Sequence, residues 1–292
     1  MSAAEVAREG VTEVVADRAP AHESALTRLF WFLRDVLVLT RRSLVHVVRD
    51  PAQLADVTIQ PIMFVVLFTY VFGSAIRLPG GGNYHEYLVA GIFAITVAGA
   101  APGVAVGIAT DIQSGIIDRF RALPMSRAAV LAGRLTADLL TAALGLAVVA
   151  AVGLFVGWRV HTSPADVAAG FALALFFAYG MSWAGAAAGM WLHNPESAQA
   201  IAFTVFFPMI FVSNAFVALQ NMPVWLRVVA EWNPVSTVTA SCRELFGNPN
   251  PSASVQVWPL QHPELATALW SVALLLIFVP LAIRLYRREN LT

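Results

Sequence analysis

The sequence predicts an all-α integral membrane protein with six transmembrane helices, and three observations carry that reading. Apolar residues make up 58% of the 292-residue chain and charged residues 12%, with a mean hydropathy of +0.70. An average soluble domain has about 45–50% and about 25% of these classes, so a soluble fold has too little charge to hide this much apolar surface. Six segments reach the ~20 mostly apolar residues that a spanning helix requires: 57–76, 88–110, 130–158, 165–191, 198–219 and 266–285. None of them alternates with period two, which excludes barrel strands.

Composition also removes several kinds of chemistry. The 18 acidic and 18 basic residues cancel, leaving no strong field to hold nucleic acid. All the basic residues are arginines. Without lysine there is no P-loop, whose phosphate-gripping residue is Lys, so the chain has no Walker-type ATPase of its own and no Schiff-base chemistry. The single cysteine, Cys242, allows neither an internal disulfide nor a cysteine-rich metal site. His22, His46, His85, His161, His193 and His262 fall singly on different segments, without the H-E-x-x-H spacing of a zinc helix. No catalytic residue, metal site or cofactor is expected on this chain; a membrane enzyme would need converging polar groups that the sequence does not offer.

Taken in order, residues 1–25 are polar, acidic and Ala-rich, lack the apolar core of a signal peptide, and read as a flexible cytoplasmic tail. Residues 26–56 read as a basic amphipathic helix lying in the headgroup layer. Leu26, Leu29, Phe30, Leu33, Val36 and Leu37 recur there at helical spacing, with Arg28, Arg34, Arg41, Arg42 and Arg49 between them. The remainder, 57–288, is the six-span domain. Seven arginines precede the first span, Arg119, Arg121, Arg127 and Arg134 follow the second, and Arg284, Arg287 and Arg288 follow the last. By the positive-inside rule both termini are cytoplasmic, which leaves Arg77, Arg159, Arg227 and Arg243 outside. The external connection 220–264 carries a short helix with Val224, Trp225, Val228 and Val229 on one face beside Arg227 and Glu231, and a second, half-apolar one over 235–246, read together as dipping into the outer interface with tryptophans at headgroup level. Its proline-rich end, 247–263, reads as loop.

The cytoplasmic connection 111–127 is the strongest local feature. Ile112, Ile116, Ile117 and Phe120 share one helical face, Asp111, Asp118, Arg119 and Arg121 occupy the rest, and Pro124 ends the helix. A short amphipathic helix tied between two spans suits insertion into a partner's groove; a membrane-surface helix without a partner is the alternative. Within the membrane the clear ionisable candidate is Asp138, with Arg134 at i−4, where the two pair. A lone acid favours an ion pair over a proton relay, which needs several. Aromatic rings gather in span one (Phe64, Phe68, Tyr70, Phe72) and span five (Phe203, Phe206, Phe207, Phe211, Phe216), with Ser213 and Asn214 the polar exceptions. Flat ring faces suit a planar aromatic cargo through stacking and cation–π contact. Phe64, Phe68, Tyr70, Phe206, Phe207, Phe211 and Asn214 are therefore candidates for a substrate path, with lipid-facing or packing phenylalanines as the alternative.

The chain resembles the membrane subunits of ABC-2 type exporters, and among them the daunorubicin/doxorubicin-resistance permeases. The resemblance rests on Leu67-Phe68-Thr69-Tyr70-Val71-Phe72-Gly73 closing the first span and Tyr87-Leu88-Val89-Ala90-Gly91-Ile92 opening the second. It continues through Thr110-Asp111-Ile112, Gly115, Asp118-Arg119-Phe120-Arg121 and Leu123-Pro124 in the loop. Phe207-Pro208, Phe211, Ser213-Asn214, Phe216-Val217, Met222-Pro223, Trp225-Leu226 and Asn233-Pro234-Val235 complete it, so that residues 40–285 or so are covered. The resemblance implies a homodimer of permeases associated with two copies of a separate cytosolic ATPase subunit, which would bring ATP and Mg. Nucleotide would shift the permease between inward-open and outward-open states. Asp111, Ile112, Gly115, Ile116, Asp118, Arg119, Phe120, Arg121, Leu123 and Pro124 would form the coupling helix, and 220–246 the external re-entrant pair that shuts the outer mouth. The implied cargo is a hydrophobic aromatic drug or antibiotic, exported across a bacterial inner membrane. Export of a lipid or cell-wall precursor is the alternative, and an ATP-independent secondary transporter the second. Many members of that family carry glutamate where this chain has Asp111 and Asp118, which keeps the charge and shortens its reach.

Overall fold

The computed structural model describes residues 25–49, 51–73, 78, 81–116 and 127–288, and these are mostly helical, with no strand among them. Helix α1, Ala25–Arg49, is followed by α2, Pro51–Leu67. The expected boundary at residue 56 falls within α2. Helix α2 continues as one π-helical turn, Phe68–Phe72. Helices α3, Tyr84–Ala98, and α4, Ala100–Gln113, join at Gly99 with near-helical dihedrals and make one apolar stretch of 30 residues. Then come α5, Arg127–Val156, α6, Pro164–Leu192, and α7, Pro195–Phe211. The short helices α8, Val224–Glu231, α9, Pro234–Phe246, and α10, Trp258–Gln261, lead into α11, Pro263–Arg288.

Local chemistry sets most of these ends. Ser163 and Asp166 form a reciprocal capping box ahead of Pro164 at the start of α6. Asn194 caps α7, its side chain accepting the Glu196 N–H ahead of the helix's first turn. Helix α4 stops at Gln113 because Gly115 adopts a left-handed φ of 69° and its N–H turns back to the Ile112 carbonyl at 3.0 Å.

Among the described residues, five helices are long and apolar enough to cross a membrane: Leu54–Val71, Tyr84–Gln113, Ala129–Val156, Pro164–Leu192 and Pro263–Tyr286. The expected fifth span, 198–219, is cut short at Phe211, so α7 has only 17 residues. Pro208 removes one helical N–H near its end. Ser213 then donates its hydroxyl to the Ile210 carbonyl at 2.6 Å and accepts the Ala215 N–H at 3.2 Å, turning the chain out of the helix.

Helix α3 lies at the centre, with Tyr87, Leu88, Val89 and Phe93 buried against α5, α6 and α9. Around its first turns Phe93, Trp158, Phe171 and Phe246 form a cluster of tilted and edge-on rings 5.2–5.5 Å apart. Helix α4 packs chiefly on α6 and α7, α6 on α11, and α5 on α1 and α2. The contact of α4 with α6 is a backbone-to-backbone one: a Cβ on Gly185 or Gly189 would run into the carbonyls of Ala101 or Ala105.

The two short helices expected at an interface behave differently from each other. Helix α8 leaves Val224, Trp225, Val228 and Val229 exposed, Trp225 at 72%. Helix α9 is buried within the protein along almost its whole length. Its hydroxyls are satisfied internally, Thr237 and Thr239 on the carbonyls of Pro234 and Val235 and Ser241 with Thr267 of α11. A composition that reads as half-solvated is thus compatible with burial.

Candidate functional site

At the end of the bundle where α4 stops and α5 begins, Arg134 of α5 pairs with two acids. Its Nη1 reaches Asp111 in the last turn of α4, and its Nε lies 3.4 Å from Asp138 Oδ2, one turn along its own helix. The Arg134–Asp138 pair is the one expected from i,i+4 spacing. Asp111, 23 residues away in sequence, is brought to it by the fold. Asp111 and Ile112 therefore belong to the end of a long helix and not to a separate amphipathic one, because that helix ends in the left-handed turn at Gly115. Ile112 packs inward, onto the cluster of Val104, Ile108, Leu131 and Leu135. Ile116 lies just beyond that turn, and Ile117, Asp118, Arg119, Phe120, Arg121, Leu123 and Pro124 lie outside the described residues.

Most of the phenylalanines expected along a substrate path do come together. Phe64 and Phe68 of α2 stack at 5.8 Å, Phe68 stacks on Phe216 at 4.3 Å, Phe216 meets Phe211 at 5.5 Å, and Phe211 meets Phe207 at 4.4 Å. The result is a ladder of rings that starts on α2, crosses the break after α7, and descends α7. Phe207 and Phe211 remain 53% and 49% exposed, so the α7 end of the ladder offers ring faces while its α2 end packs on the core. Phe216 joins the two halves, and its role depends on the break at residue 212, which the apolar pattern conceals. Tyr70, on the π-helical turn and 71% exposed, stands outside the ladder. Phe206 packs on the main core, as Phe64, Phe68 and Phe216 also do.

Asn214 is placed elsewhere than expected. It is fully buried in a polar knot at the far end of the bundle and does not line a path. The centre of the knot is Arg243 of α9, with no exposed surface. Its Nε and Nη2 donate to the Tyr87 carbonyl at 3.2 and 3.0 Å, and Nη2 also to the carbonyls of Asn214 and Ala215 at 3.0 and 3.1 Å. The guanidinium carbon sits 3.4 Å from the centroid of the Tyr87 ring. Tyr87 Oη donates to the Asn214 carbonyl at 2.7 Å, and the Asn214 N–H and side-chain amide donate to Ser236 and Ser252. Burial pushes the Arg243 pKa below its usual value, and the adjoining Tyr87 opposes that shift.

A second residue completes the stitching. Asn233 accepts the Val235 N–H and so caps α9, while its amide donates to the Met209 and Val212 carbonyls at 2.7 and 2.6 Å, taking up acceptors freed at the end of α7. The Asn-Pro-Val run is thus a cap for two helices at once. Sequence reasoning places Arg243 as an ordinary external arginine and misses its role with Tyr87; nothing in a residue pattern marks main-chain oxygens as partners.

Long apolar helices and a buried polar core stitched by main-chain acceptors define a multi-pass α-helical membrane protein. Residues 34–246 match the ABC-2 type transporter family. The chain belongs to that family. It is 30% identical to the daunorubicin resistance ABC transporter permease protein DrrB1 of Streptomyces coeruleorubidus, over 94% of this chain and 89% of that one. It is 25% identical to the probable doxorubicin resistance ABC transporter permease protein DrrC of Mycobacterium tuberculosis, over 95% and 96%. It is 22% identical to the putative transport permease ycf38 of Cyanophora paradoxa, over 79% and 80%.

Proposed function

We propose that the chain is the membrane subunit of an ATP-driven exporter, working as a homodimer with a separate cytosolic ATPase subunit that carries ATP and Mg. The cargo is a hydrophobic aromatic drug or antibiotic, moved outward across a bacterial inner membrane. Family membership and the resistance permeases among the relatives support the transport class. The phenylalanine ladder is the observation that supports the cargo class, since its half-exposed end at Phe207 and Phe211 suits a flat apolar molecule arriving from the bilayer.

In this reading α7 makes the sixth crossing, both termini lie in the cytoplasm, and α8 rests on the outer interface with its apolar face in lipid. The cytoplasmic connection 111–127 acts as the coupling loop, with Phe120 seated in the ATPase groove and Asp118, Arg119 and Arg121 setting register at the rim.

The test is ATP hydrolysis by the chain affinity-purified from its native membrane and placed in lipid discs, with daunorubicin as the probe. Hydrolysis that co-purifies and rises with daunorubicin supports both parts of the reading. Hydrolysis indifferent to daunorubicin keeps the exporter and moves the cargo toward lipids or cell-wall precursors. A folded preparation without hydrolysis points to a transporter that works without ATP.

A further inference from the structure

We propose that Asp56 of α2 is the counter-ion for a positive charge on the cargo, which makes the preferred substrate a flat apolar cation. The proposal rests on the drug-export reading and names the substrate class within it. Sequence alone puts Asp56 at the end of the interface helix, 26–56, just outside the first apolar segment. The fold carries it deeper. A Cβ on Gly145 of α5 would lie 3.3 Å from Thr96 Cγ2 of α3 and 3.8 Å from Val57 Cγ1 of α2, so these three residues share one level. At ~1.5 Å per residue that level is about 17–26 Å from either end of the spans Tyr84–Gln113 and Ala129–Val156. Asp56, next to Val57, therefore lies close to the middle of the bilayer.

It lies there on the outside of the bundle. Asp56 and Gln60, one turn apart, are both exposed, on a side of α2 otherwise made of Ile59, Met63 and Leu67. Among the described residues no ion pair includes Asp56. A carboxylate at that depth is costly against lipid, and such residues face a water-filled path or a cation. A second copy of the chain has no cation to offer at this level. The arginines within the candidate spans and α7 are Arg134, paired with Asp111 and Asp138, and Arg284, near the end of α11. The counter-charge that remains is the cargo's.

The ladder of rings starts from the same ridge of α2. Positions four apart run Asp56, Gln60, Phe64 and Phe68, so the acid sits two turns inward of the first ring. The open end of the ladder returns to the level of the acid. Ala198 of α7 lies in one buried cluster with Ala105 of α4, and Phe207 is as many residues outward of Ala198 as Thr96 is of Ala105. Carboxylate, amide and half-exposed ring thus stand at one depth, an anion with a polar neighbour for the charged group and ring faces for the flat body.

The test uses the chain affinity-purified from its native membrane in lipid discs, and reads binding by the fluorescence of the probe. Daunorubicin, whose amine is protonated at neutral pH, is compared with N-acetyl-daunorubicin, which has the same rings and no charge. Wild type is expected to bind daunorubicin at least tenfold more tightly than the acetylated compound. Asp56→Asn is expected to weaken daunorubicin at least tenfold and to leave the acetylated compound within twofold, while Asp56→Glu keeps the preference. Asp56→Cys, on a Cys242→Ser background, is expected to react with a charged water-soluble thiol reagent and to be protected by daunorubicin. Equal affinities of wild type for the two compounds overturn the proposal and leave the drug-export reading standing. So does an equal loss of both in Asp56→Asn, which a merely structural role would give, or an Asp56→Cys that the reagent does not reach or that cross-links between copies. A wild-type chain that binds neither compound overturns both.

Discussion

Among the described groups around Arg243, the charge is met by three main-chain carbonyls and the face of Tyr87. Replacing it by Leu strands those acceptors, each at about 1–3 kcal/mol. Arg243→Leu is therefore expected to lose about 3 kcal/mol or more of stability, read as a lower denaturation midpoint in detergent. Arg243→Lys is expected to recover only part of this, because an ammonium has no planar fork to reach carbonyls on two elements. Its neighbour Cys242 offers a second check at this scale. Burial pushes the thiol up to about 12, partly opposed by the adjacent guanidinium. Because the thiolate is the reactive form, maleimide is expected to leave the folded chain unlabelled between about pH 7 and 9 and to label it fully after denaturation. The effect on stability has a definite sign: an acid whose pKa is raised from 9.0 to about 12 on folding costs nothing below pH 9 and destabilises as the pH climbs above it. Labelling at the rate of a free thiol would show that α9 is not held inside the protein.

At the scale of the element, small residues decide how closely helices approach. Gly185→Leu is expected to break the α4–α6 contact and cost about 1–3 kcal/mol or more, seen as lost trypsin resistance in membranes. Gly103→Ala on α4 is the control: a Cβ there meets nothing within 4 Å, so the change is expected to be neutral or to stabilise by about 0.4–1 kcal/mol. The long helices are legible in the sequence because apolar length alone specifies them. Expected segments 130–158 and 165–191 correspond to Arg127–Val156 and Pro164–Leu192. Helix α7 reads too long in the sequence because Ala215, Phe216, Val217, Ala218 and Leu219 are as apolar as the helix before them, while the turn is made by hydrogen bonds of Ser213 that hydropathy ignores. Helix α9 reads as interfacial because its hydroxyls count as polar whether or not they are satisfied. The ion pair of Arg134 is half legible: Asp138 follows from helical spacing, whereas Asp111 becomes a partner only once α4 and α5 are laid side by side.

At the scale of the whole molecule, transport in the proposed reading depends on a partner pushing from the cytoplasm. Phe120→Asp, or Arg119→Glu with Arg121→Glu, is expected to abolish MgATP-driven uptake of daunorubicin while membrane insertion and amount of the chain stay normal. Normal uptake by those variants would remove the loop 111–127 from the coupling role. The brevity of α7 has its own consequence for the surrounding bilayer. Its 17 residues rise about 25 Å, some 5 Å less than the hydrocarbon thickness of about 30 Å. In the proposed six-crossing reading, with Phe203, Phe207 and Phe211 facing outward, lipids on that flank thin to match α7, at a cost of fractions of a kcal/mol per Å. In that reading, hydrophobic mismatch belongs to the side of the protein that carries the ring ladder. Activity is expected to rise in discs of shorter-chain phospholipid and fall in longer ones, which makes acyl length a control on the exporter independent of either nucleotide or cargo.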